Sequence, residues 1–312
     1  MMDKQLNKIT ENGTLVLLPH SSQDWFKSFQ FMFGECILLD DICNRDNLTS
    51  FNKEVNKKCL KNLIVVDYDD IYRDIIPFIS TKTNIKWIMT YSIASLTDGA
   101  IMNVLRNLIE FYDRDLISEI GCFDKSLYMS LKKAGYPISY ILPDFKYLQK
   151  TLCDSNDIAI ISNDYNPNHS YYNMLSALKL INYDQVKLNI NMPATKNFII
   201  DFDIKAKEVS NLDELRTNNK LNLYVNFTNT ETCLVLESMD NGIPCLVGNT
   251  DLFDNNSYLK EKLVLKSDDD VSEIAFKITD VLENTQEILN EYIKFRKKYI
   301  ELAKQTAMDF LK

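Results

Sequence analysis

Short apolar runs alternate with helical segments along most of the chain, and this alternation constrains the fold more than any other feature. The runs are rich in β-branched residues and apolar on both faces, as buried parallel strands are. In the first half of the chain the predicted strands are Thr14–Leu18, 36–39, Asn62–Val66, 86–90 and 138–142. The predicted helices include 98–114 and 124–134, and Gly135 stands where a helix-ending residue with positive φ is expected.

A second series of the same kind begins near residue 157. Its predicted strands are 158–162, 185–190, 198–201, 221–227, 244–247 and 262–265. Its predicted helices are 170–181, 212–217 and 229–239, followed by a long helical tail over 269–312. Strands that alternate with helices predict α/β layers with parallel sheets. We therefore predict two α/β domains, 1–150 and 151–312, with their boundary in the polar stretch 144–156.

The chain is poor in glycine, and this excludes the phosphate-binding loops that depend on glycine. Only 7 of its 312 residues are glycine, and neither G-x-G-x-x-G nor G-x-x-x-x-G-K-[ST] occurs. The formal net charge of −9 disfavours binding to a nucleic-acid backbone, which needs clustered lysine and arginine. No nucleic-acid partner is therefore expected, and a nucleotide would have to bind by another geometry.

The cysteines and the N-terminal residues indicate a cytoplasmic protein. The 7 cysteines are scattered and form no C-x-x-C pair, which is typical of reduced thiols packed as small hydrophobic residues. Residues 1–11 are polar, and no apolar run approaches the length of a membrane span, so we predict neither a signal peptide nor a transmembrane helix. The 2 histidines, His20 and His169, have no spaced partners, so no zinc site is predicted.

The segment 221–249 carries the most specific pattern in the chain. It combines a buried strand, a turn rich in Thr and Asn, a helix, a Gly-Ile-Pro break and another strand. Thr228 and Glu231 match a capping box, in which the hydroxyl and the carboxylate satisfy the first free amides of the helix. The helix thus begins just beyond a parallel strand, where α/β sheets bind ligands and where the helix dipole favours phosphate. Glu237 lies two turns into this helix, and Gly242 ends it.

This segment resembles the nucleotide-sugar domain of the GT-B glycosyltransferases. The hallmark of one bacterial group is Glu, seven residues, Glu, then a helix of small residues and Gly-x-Pro, and Glu237, Gly242 and Pro244 match its second half. The resemblance implies two Rossmann-like domains with a deep interdomain cleft and a long C-terminal helical tail. It also implies that Glu237 binds the donor ribose and that the turn with Thr228 and Thr230 holds the donor diphosphate.

The chain departs from the family pattern at two places. The position of the first Glu is occupied by Asn229, which can hydrogen-bond sugar hydroxyls but carries no charge. Glu231 is the alternative for this role, although its capping role is favoured. Residues 162–169 lack the lysine or arginine that the family places after the first strand of this domain. The remaining candidate cations for the diphosphate are His169 and Lys196.

Two Asp-x-Asp sequences at predicted strand ends suggest a competing interpretation. Asp67 with Asp69, and Asp201 with Asp203, have the spacing of the carboxylates that hold a divalent metal in GT-A glycosyltransferases. Aspartates at strand ends are also common in turns and caps. A GT-A fold would leave the second α/β half unexplained. The sequence therefore favours a metal-independent enzyme whose only small-molecule requirement is a nucleotide-sugar donor, which we expect to be UDP-linked.

His20 follows the first strand of the first domain. In the GT-B arrangement this end of the strand faces the interdomain cleft, so His20 is a candidate catalytic residue that contacts donor or acceptor. A local capping or solvent-facing role is the alternative. Tyr91, Ser92 and Asp98 follow a later strand and are candidates for lining an acceptor pocket.

The sequence thus predicts a hexosyl-type glycosyltransferase that moves a sugar from a nucleoside-diphosphate donor to an acceptor hydroxyl on a glycan, a lipid-linked acceptor or a protein. The candidate catalytic residues are His20 and Asn229, and the candidate donor-binding residues are Thr228, Thr230, Glu231, Glu237, Gly242, Lys196 and His169. The missing Glu and cation leave a second interpretation open, a catalytically silent GT-B partner or chaperone of another glycosyltransferase. A homo-oligomer and peripheral membrane contact through the tail also stay open.

Overall fold

The structure is a computed structural model that describes residues 13–42, 45–58, 60–79, 82–91, 99–145, 155–161, 169–189, 206–224, 232–248 and 250–312. The chain divides into two compact units. Met1–Lys146 and Ile300–Lys312 form unit 1, and Tyr147–Tyr299 forms unit 2. Each unit is built on a parallel sheet, as the alternation of strands and helices predicts.

Unit 1 contains a six-stranded parallel sheet in the order β2-β1-β3-β4-β5-β6. Its strands are β1 (Thr14–Leu18), β2 (Glu35–Leu38), β3 (Asn62–Val66), β4 (Asn84–Met89), β5 (Glu119–Cys122) and β6 (Ile138–Tyr140). Its helices are α1 (Phe26–Phe33), α2 (Arg45–Lys58), α3 (Tyr72–Ile75), α4 (Gly99–Asp113) and α5 (Lys125–Lys133). Short 3-10 helices cover His20–Trp25, Leu39–Asp41 and Ile76–Phe78.

Alternate side chains of the unit 1 strands pack into two separate apolar layers, one on each face of the sheet. One layer contains Leu15, Leu17, Leu63, Val65 and Trp87, together with Phe51 and Phe111 from the helices. The other contains Val16, Leu18, Ile64, Val66 and Ile88, together with Phe29 and Phe310. Burial on both faces explains why these strands are continuous apolar runs in the sequence.

Unit 2 contains a five-stranded parallel sheet in the order β11-β10-β7-β8-β9. Its strands are β7 (Ile158–Ile161), β8 (Val186–Asn189), β9 (Ala206–Val209), β10 (Leu221–Tyr224) and β11 (Cys245–Leu246). Its helices are α6 (His169–Leu180), α7 (Leu212–Arg216), α8 (Thr232–Asp240), α9 (Ser257–Leu263) and α10 (Val271–Glu283). The last helix, α11 (Thr285–Leu311), starts in unit 2 and ends in unit 1.

The end of α11 is part of the unit 1 core. Phe310 is fully buried, and the buried Lys86 on β4 donates to its carbonyl while it pairs with Glu119 at 2.8 Å. A lysine placed at the last carbonyls of a helix stabilises the negative end of the helix dipole. Gly121 on β5 allows the close approach, since a Cβ there would lie 2.5 Å from Ile141 Cδ1 and 3.0 Å from Phe310 Cε2.

Most of the predicted elements are confirmed. The helix predicted over 98–114 is α4, and the helix predicted over 124–134 is α5, with Asp124 Oδ1 accepting from the Leu127 amide at its start. Gly135 has φ of +91°, as expected for a residue that ends a helix. The predicted helical tail consists of α10 and α11, which are separated at Asn284.

The structure differs from the prediction at one predicted strand, and it contains two strands that the sequence does not predict. The strand predicted over 262–265 is wrong, because α9 extends to Leu263 and only Val264 pairs with a strand residue, Val247. The strands β5 and β9 were not predicted, since β5 has four residues including a glycine and β9 carries two exposed charged residues. The strand predicted over 198–201 lies outside the described residues.

None of the helices in the described ranges combines the length with the apolar composition that a bilayer crossing requires.

Candidate functional site

The strand order reverses once in each sheet, and ligands of open α/β sheets bind beyond the carboxyl ends of the strands at that reversal. In unit 2 the reversal lies between β7 and β10, and the chain continues from these strands into residues 162–168 and 225–231. Both ranges lie outside the described residues, as does 190–205. The predicted site residues Thr228, Asn229, Thr230, Glu231 and Lys196 are in these ranges, and the side chain of His169, the first residue of α6, is also outside the described part of the chain.

The helix that follows β10 is α8, and it carries Glu237. Glu237 is the sixth residue of α8, and its side chain is 48% exposed. Gly242 follows the helix with φ of +81°, and the amide of Ile243 donates to the Ser238 carbonyl at 3.0 Å. This is the hydrogen-bonding pattern of a helix that ends at a glycine, so the predicted role of Gly242 as the helix end is confirmed.

Arg216 is the charged neighbour of Glu237. Its Nη1 lies 3.6 Å from Glu237 Oε2, and its side chain is 20% exposed. Arg216 is the last residue of α7, which contacts β7, β8 and β9. Glu237 is on α8, which contacts β11. The ion pair therefore joins the last turns of α7 and α8, which lie toward the amino ends of the strands of unit 2.

A fully buried asparagine on β10 fixes the positions of these two helices. Asn222 Nδ2 donates to the Arg216 carbonyl at 3.0 Å and to Ser238 Oγ at 2.7 Å. Ser238 is the neighbour of Glu237 in the sequence, and its hydroxyl donates to the Ile243 carbonyl at 3.2 Å. One strand residue thus contacts α7 and α8 on the same face of the sheet.

A buried lysine on the neighbouring strand β8 belongs to the same polar network. Lys187 on β8 is 2% exposed and donates to Asn219 Oδ1 at 2.8 Å and to the Asn218 carbonyl at 3.0 Å. It also forms an ion pair of 3.4 Å with Asp157. Asn219 in turn donates to Asn222 Oδ1 at 2.7 Å. Because buried polar groups with complete partners rigidify their surroundings, the turn between α7 and β10 is firmly held.

The carboxyl end of α8 is attached to α11 through Asp240. The carboxylate accepts from Tyr292 Oη at 2.8 Å and from Arg296 Nε at 3.0 Å and 3.1 Å. Arg296 and Asp240 are 8% and 9% exposed. Burial, followed by the charge of Asp240, raises the pKa of Tyr292 well above the ordinary tyrosine value. The Tyr292 hydroxyl also lies 3.1 Å from the Leu236 carbonyl, so both Tyr292 and Arg296 of α11 hold α8 from this side.

In unit 1 the strand reversal lies between β1 and β3, and His20 stands just beyond β1. His20 Nδ1 lies 3.1 Å from Asp40 Oδ2, and both side chains are exposed. Asp40 follows β2, the neighbour of β1. A histidine held through Nδ1 presents Nε2 for contact with a substrate. The structure thus adds a carboxylate partner to His20, whose catalytic role stays a prediction.

Asp67 occupies the other side of the reversal, just after β3, and it is buried. Its carboxylate accepts hydrogen bonds from Ser22 Oγ, from the Thr90 amide at 2.7 Å and from Thr90 Oγ1 at 2.7 Å. Burial raises the pKa of Asp67, while these hydrogen bonds lower it by less. Burial and the Asp67 charge raise the pKa of Tyr91 as well.

These contacts explain the first Asp-x-Asp sequence as a structural feature. The Asp67 carboxylate joins the loops that follow β1, β3 and β4, and Asp69 Oδ1 accepts from the Ile71 amide at 3.0 Å in the next turn. In the described ranges no three His, Cys, Asp or Glu side chains are grouped as metal ligands would be. Asp201, Asp203, Ser92 and Asp98 lie outside those ranges.

Sequence reasoning missed Arg216, Asn222 and Asp40. Arg216 and Asn222 precede Glu237 by 21 and 15 positions, and only the folded unit 2 brings Arg216 to Glu237 and Asn222 to the neighbouring Ser238. Asp40 meets His20 only because β1 and β2 are neighbours. A polar Asn inside the apolar run of β10 was the one available signal, because a buried strand amide requires hydrogen-bond partners.

The comparisons with known proteins agree with this architecture. No protein-family model and no curated protein sequence matches the chain. Among solved structures, TarM aligns over 84% of this chain and 57% of its own, with 13% identity and a TM-score of 0.63. The pneumococcal O-GlcNAc transferase GtfA in complex with UDP and GlcNAc aligns over 81% and 60%, with 12% identity and a TM-score of 0.52. The GtfA/B complex aligns over 85% and 60%, with 11% identity and a TM-score of 0.52.

These neighbours are GT-B glycosyltransferases, and the chain spans 57% to 60% of their lengths. At identities this low the likeness concerns the fold. Two parallel-sheet α/β units and a helical C-terminal tail, with these neighbours, identify the fold of the chain as GT-B.

Proposed function

We propose that the chain is a glycosyltransferase that takes a hexose from a UDP-linked donor and transfers it to an acceptor hydroxyl without a metal ion. The observation that carries the proposal is the GT-B fold, together with the exposed carboxylate of Glu237 on α8, the helix that follows β10 at the strand reversal of unit 2. Glu237 is at the position that resembles the second Glu of the family hallmark. We assign its carboxylate the role that this resemblance implies, which is to accept hydrogen bonds from the donor ribose. The neighbour GtfA was solved with UDP and GlcNAc, which supports a donor of this class.

The chemistry follows from the residue types. The amides at the start of α8, with Thr228 and Thr230, stabilise the charge of the departing diphosphate. Asn229 and His20 are the proposed contacts to the reacting sugar and the acceptor, and Asp40 orients the His20 ring. We place the reaction in the cytoplasm, which is consistent with the reduced thiols of the buried Cys36, Cys122 and Cys245.

Glu237→Gln is expected to weaken UDP binding at least about tenfold, because a neutral amide replaces the charge-assisted acceptor of the ribose hydroxyls. Isothermal titration calorimetry with UDP and with GDP measures this effect. Glu261→Gln is the matched control, since Glu261 is an exposed glutamate on α9 of the same unit. Equal UDP affinity for the wild type and Glu237→Gln, or no nucleotide binding by the wild type, would contradict the proposal.

The second candidate function is a catalytically silent partner of another glycosyltransferase. It is favoured by Asn229 in the place of the first Glu, and the GtfA/B neighbour was solved as a complex. The two functions differ in donor hydrolysis. The isolated enzyme would release UDP slowly from a UDP-sugar, whereas the silent partner would release none and would co-purify with a second transferase.

A further inference from the structure

We propose that Ser22 and Asp67 are positioning residues for His20, because they fix the short helix that carries its ring at the strand reversal of unit 1. The inference rests on the proposed function, in which His20 contacts the acceptor, and it deepens that function. Neither Ser22 nor Asp67 is expected to touch the ligand. Their role acts through the orientation of the His20 ring.

The helix that carries His20 is anchored by a buried serine. His20 and Ser22 both belong to the 3-10 helix His20–Trp25, which starts just beyond β1. A 3-10 helix has about three residues per turn, so the two residues belong to the same turn. Ser22 is buried and its amide donates to the Pro19 carbonyl at 3.0 Å, whereas the His20 side chain is 65% exposed. The turn is therefore fixed on its inner side and presents His20 on its outer side.

The carboxylate of Asp67 holds Ser22 and is itself fixed from the neighbouring strand. Asp67 is 1% exposed and accepts from Ser22 Oγ, while the amide and the hydroxyl of Thr90 each donate to it at 2.7 Å. Asp67 directly follows β3 and Thr90 directly follows β4, so the carboxylate is tied to the carboxyl edge of the sheet. The φ of +49° at Asp67 is unusual for a residue with a side chain, and such a backbone conformation persists where the surrounding contacts determine it. The Ser22 hydroxyl therefore connects the His20 helix to a fixed point.

Asp40 contacts the His20 ring from the other neighbouring strand. β1 lies between β2 and β3, and Asp40 is in the 3-10 helix Leu39–Asp41 directly after β2. Asp40 Oδ2 lies 3.1 Å from His20 Nδ1, and in a neutral ring a proton on Nδ1 leaves Nε2 as the acceptor. Both side chains are exposed, and an exposed pair alone gains little from holding two side chains in one geometry. We therefore expect the buried contact between Ser22 and Asp67 to determine how well His20 meets Asp40.

The tautomer of the His20 ring tests this inference directly. The chain contains 2 histidines, so the imidazole nitrogen signals of His20 in NMR spectra of the full-length protein can be assigned with His169→Gln. In the wild type we expect the neutral ring to be mainly the Nδ1–H tautomer. Ser22→Ala is expected to lower the ratio of the Nδ1–H to the Nε2–H tautomer at least about threefold, because the helix no longer holds the ring at Asp40. Asp40→Ala should lower this ratio at least as much, and the double variant should match Asp40→Ala alone.

Thr90→Val separates positioning from stability. It removes one hydroxyl from the same Asp67 carboxylate but leaves the contact with Ser22 in place. We expect Ser22→Ala and Thr90→Val to lose similar stability in urea, whereas only Ser22→Ala changes the tautomer ratio. Asp67→Asn can donate to both hydroxyls and is expected to keep the wild-type ratio. Equal ratios in the wild type and Ser22→Ala, or equal changes in Ser22→Ala and Thr90→Val, would overturn the inference.

Donor hydrolysis separates this inference from the proposed function. With UDP-glucose or UDP-N-acetylglucosamine, Ser22→Ala is expected to lower kcat about tenfold at a similar KM, because the position of His20 matters in the transition state. Ser118→Ala is the control, since it removes a hydrogen bond to the Ile85 carbonyl at the opposite, amino edge of the sheet, and its kcat should equal that of the wild type. If the wild type hydrolyses neither donor, the proposed function fails, and the tautomer ratios still decide whether Ser22 positions the ring. If the wild type hydrolyses a donor and Ser22→Ala leaves kcat unchanged, the proposed function stands and the inference is refuted.

Discussion

Asp67→Ala is expected to destabilise unit 1 by about 3 kcal/mol, because it leaves the buried Thr90 amide and two hydroxyls without their acceptor. The three hydrogen bonds join the loops after β1, β3 and β4, so the loss should affect the whole carboxyl edge of this sheet. Both tryptophans, Trp25 and Trp87, belong to unit 1. Urea unfolding followed by tryptophan fluorescence therefore reports the stability of unit 1 specifically.

Asp67→Asn is the matched variant, and it should behave differently. Its amide can donate to the hydroxyls of Ser22 and Thr90, and asparagine tolerates the positive φ of +49° at this position. We expect this variant to be at least as stable as the wild type at pH 7. Equal losses of stability in the alanine and asparagine variants would show that the hydrogen bonds do not determine the effect.

The pH dependence has a definite sign. Burial raises the pKa of Asp67 in the folded protein, so the folded state binds the proton more tightly than the unfolded state. The contribution is present below the unfolded aspartate value of about 4 and is lost as the pH rises through the folded value. Between pH 4 and pH 8 the wild type should therefore lose stability relative to Asp67→Asn. A constant difference across this range would contradict the raised pKa.

Arg296→Met is expected to destabilise unit 2 by about 3 to 5 kcal/mol, since it removes the cation that is paired with the largely buried Asp240 carboxylate. The carboxylate lies at the last residue of α8, where the negative end of the helix dipole adds to the cost. Unit 2 has no tryptophan, so the measurement is urea unfolding followed by far-UV circular dichroism, with hydrogen exchange at the α8 amides.

The double variant Arg296→Met with Asp240→Asn is the control for the buried charge. It removes both charges and keeps an acceptor for Tyr292, so we expect it to recover at least half of the lost stability. The prediction would be refuted if the double variant were less stable than Arg296→Met. The α8 amides should exchange faster in Arg296→Met, because α11 no longer holds the end of that helix.

The sequence predicted the parts of the fold that are encoded by continuous apolar runs. The strands β1, β3, β7 and β10 are buried on both faces, so their residues form such runs and are recognisable one segment at a time. The edge strand β9 is not recognisable in the sequence, because its middle residues, Lys207 and Glu208, are exposed and charged. The run 262–265 is wrongly predicted to be a strand, because a buried helix end and a buried strand have the same local composition.

The residues of the candidate site also fall into two groups, those that a local sequence pattern identifies and those that only the fold brings together. Glu237 and Gly242 belong to one contiguous segment with helix-ending chemistry, so local pattern was sufficient to find them. Arg216 and Asn222 come close to Glu237 and Ser238 through contacts among α7, β10 and α8, which no local pattern encodes. In the sequence Asp67 is also a candidate metal ligand, because strand-end carboxylates that bind loops and those that bind metals look identical at that level.

A crystal structure of the protein with UDP or GDP tests the central claim most directly. We predict that the ribose hydroxyls lie within hydrogen-bonding distance of Glu237 and that the diphosphate lies at the start of α8. A nucleotide bound away from α8, with the Glu237 carboxylate still paired with Arg216 and not in contact with the ligand, would contradict this prediction.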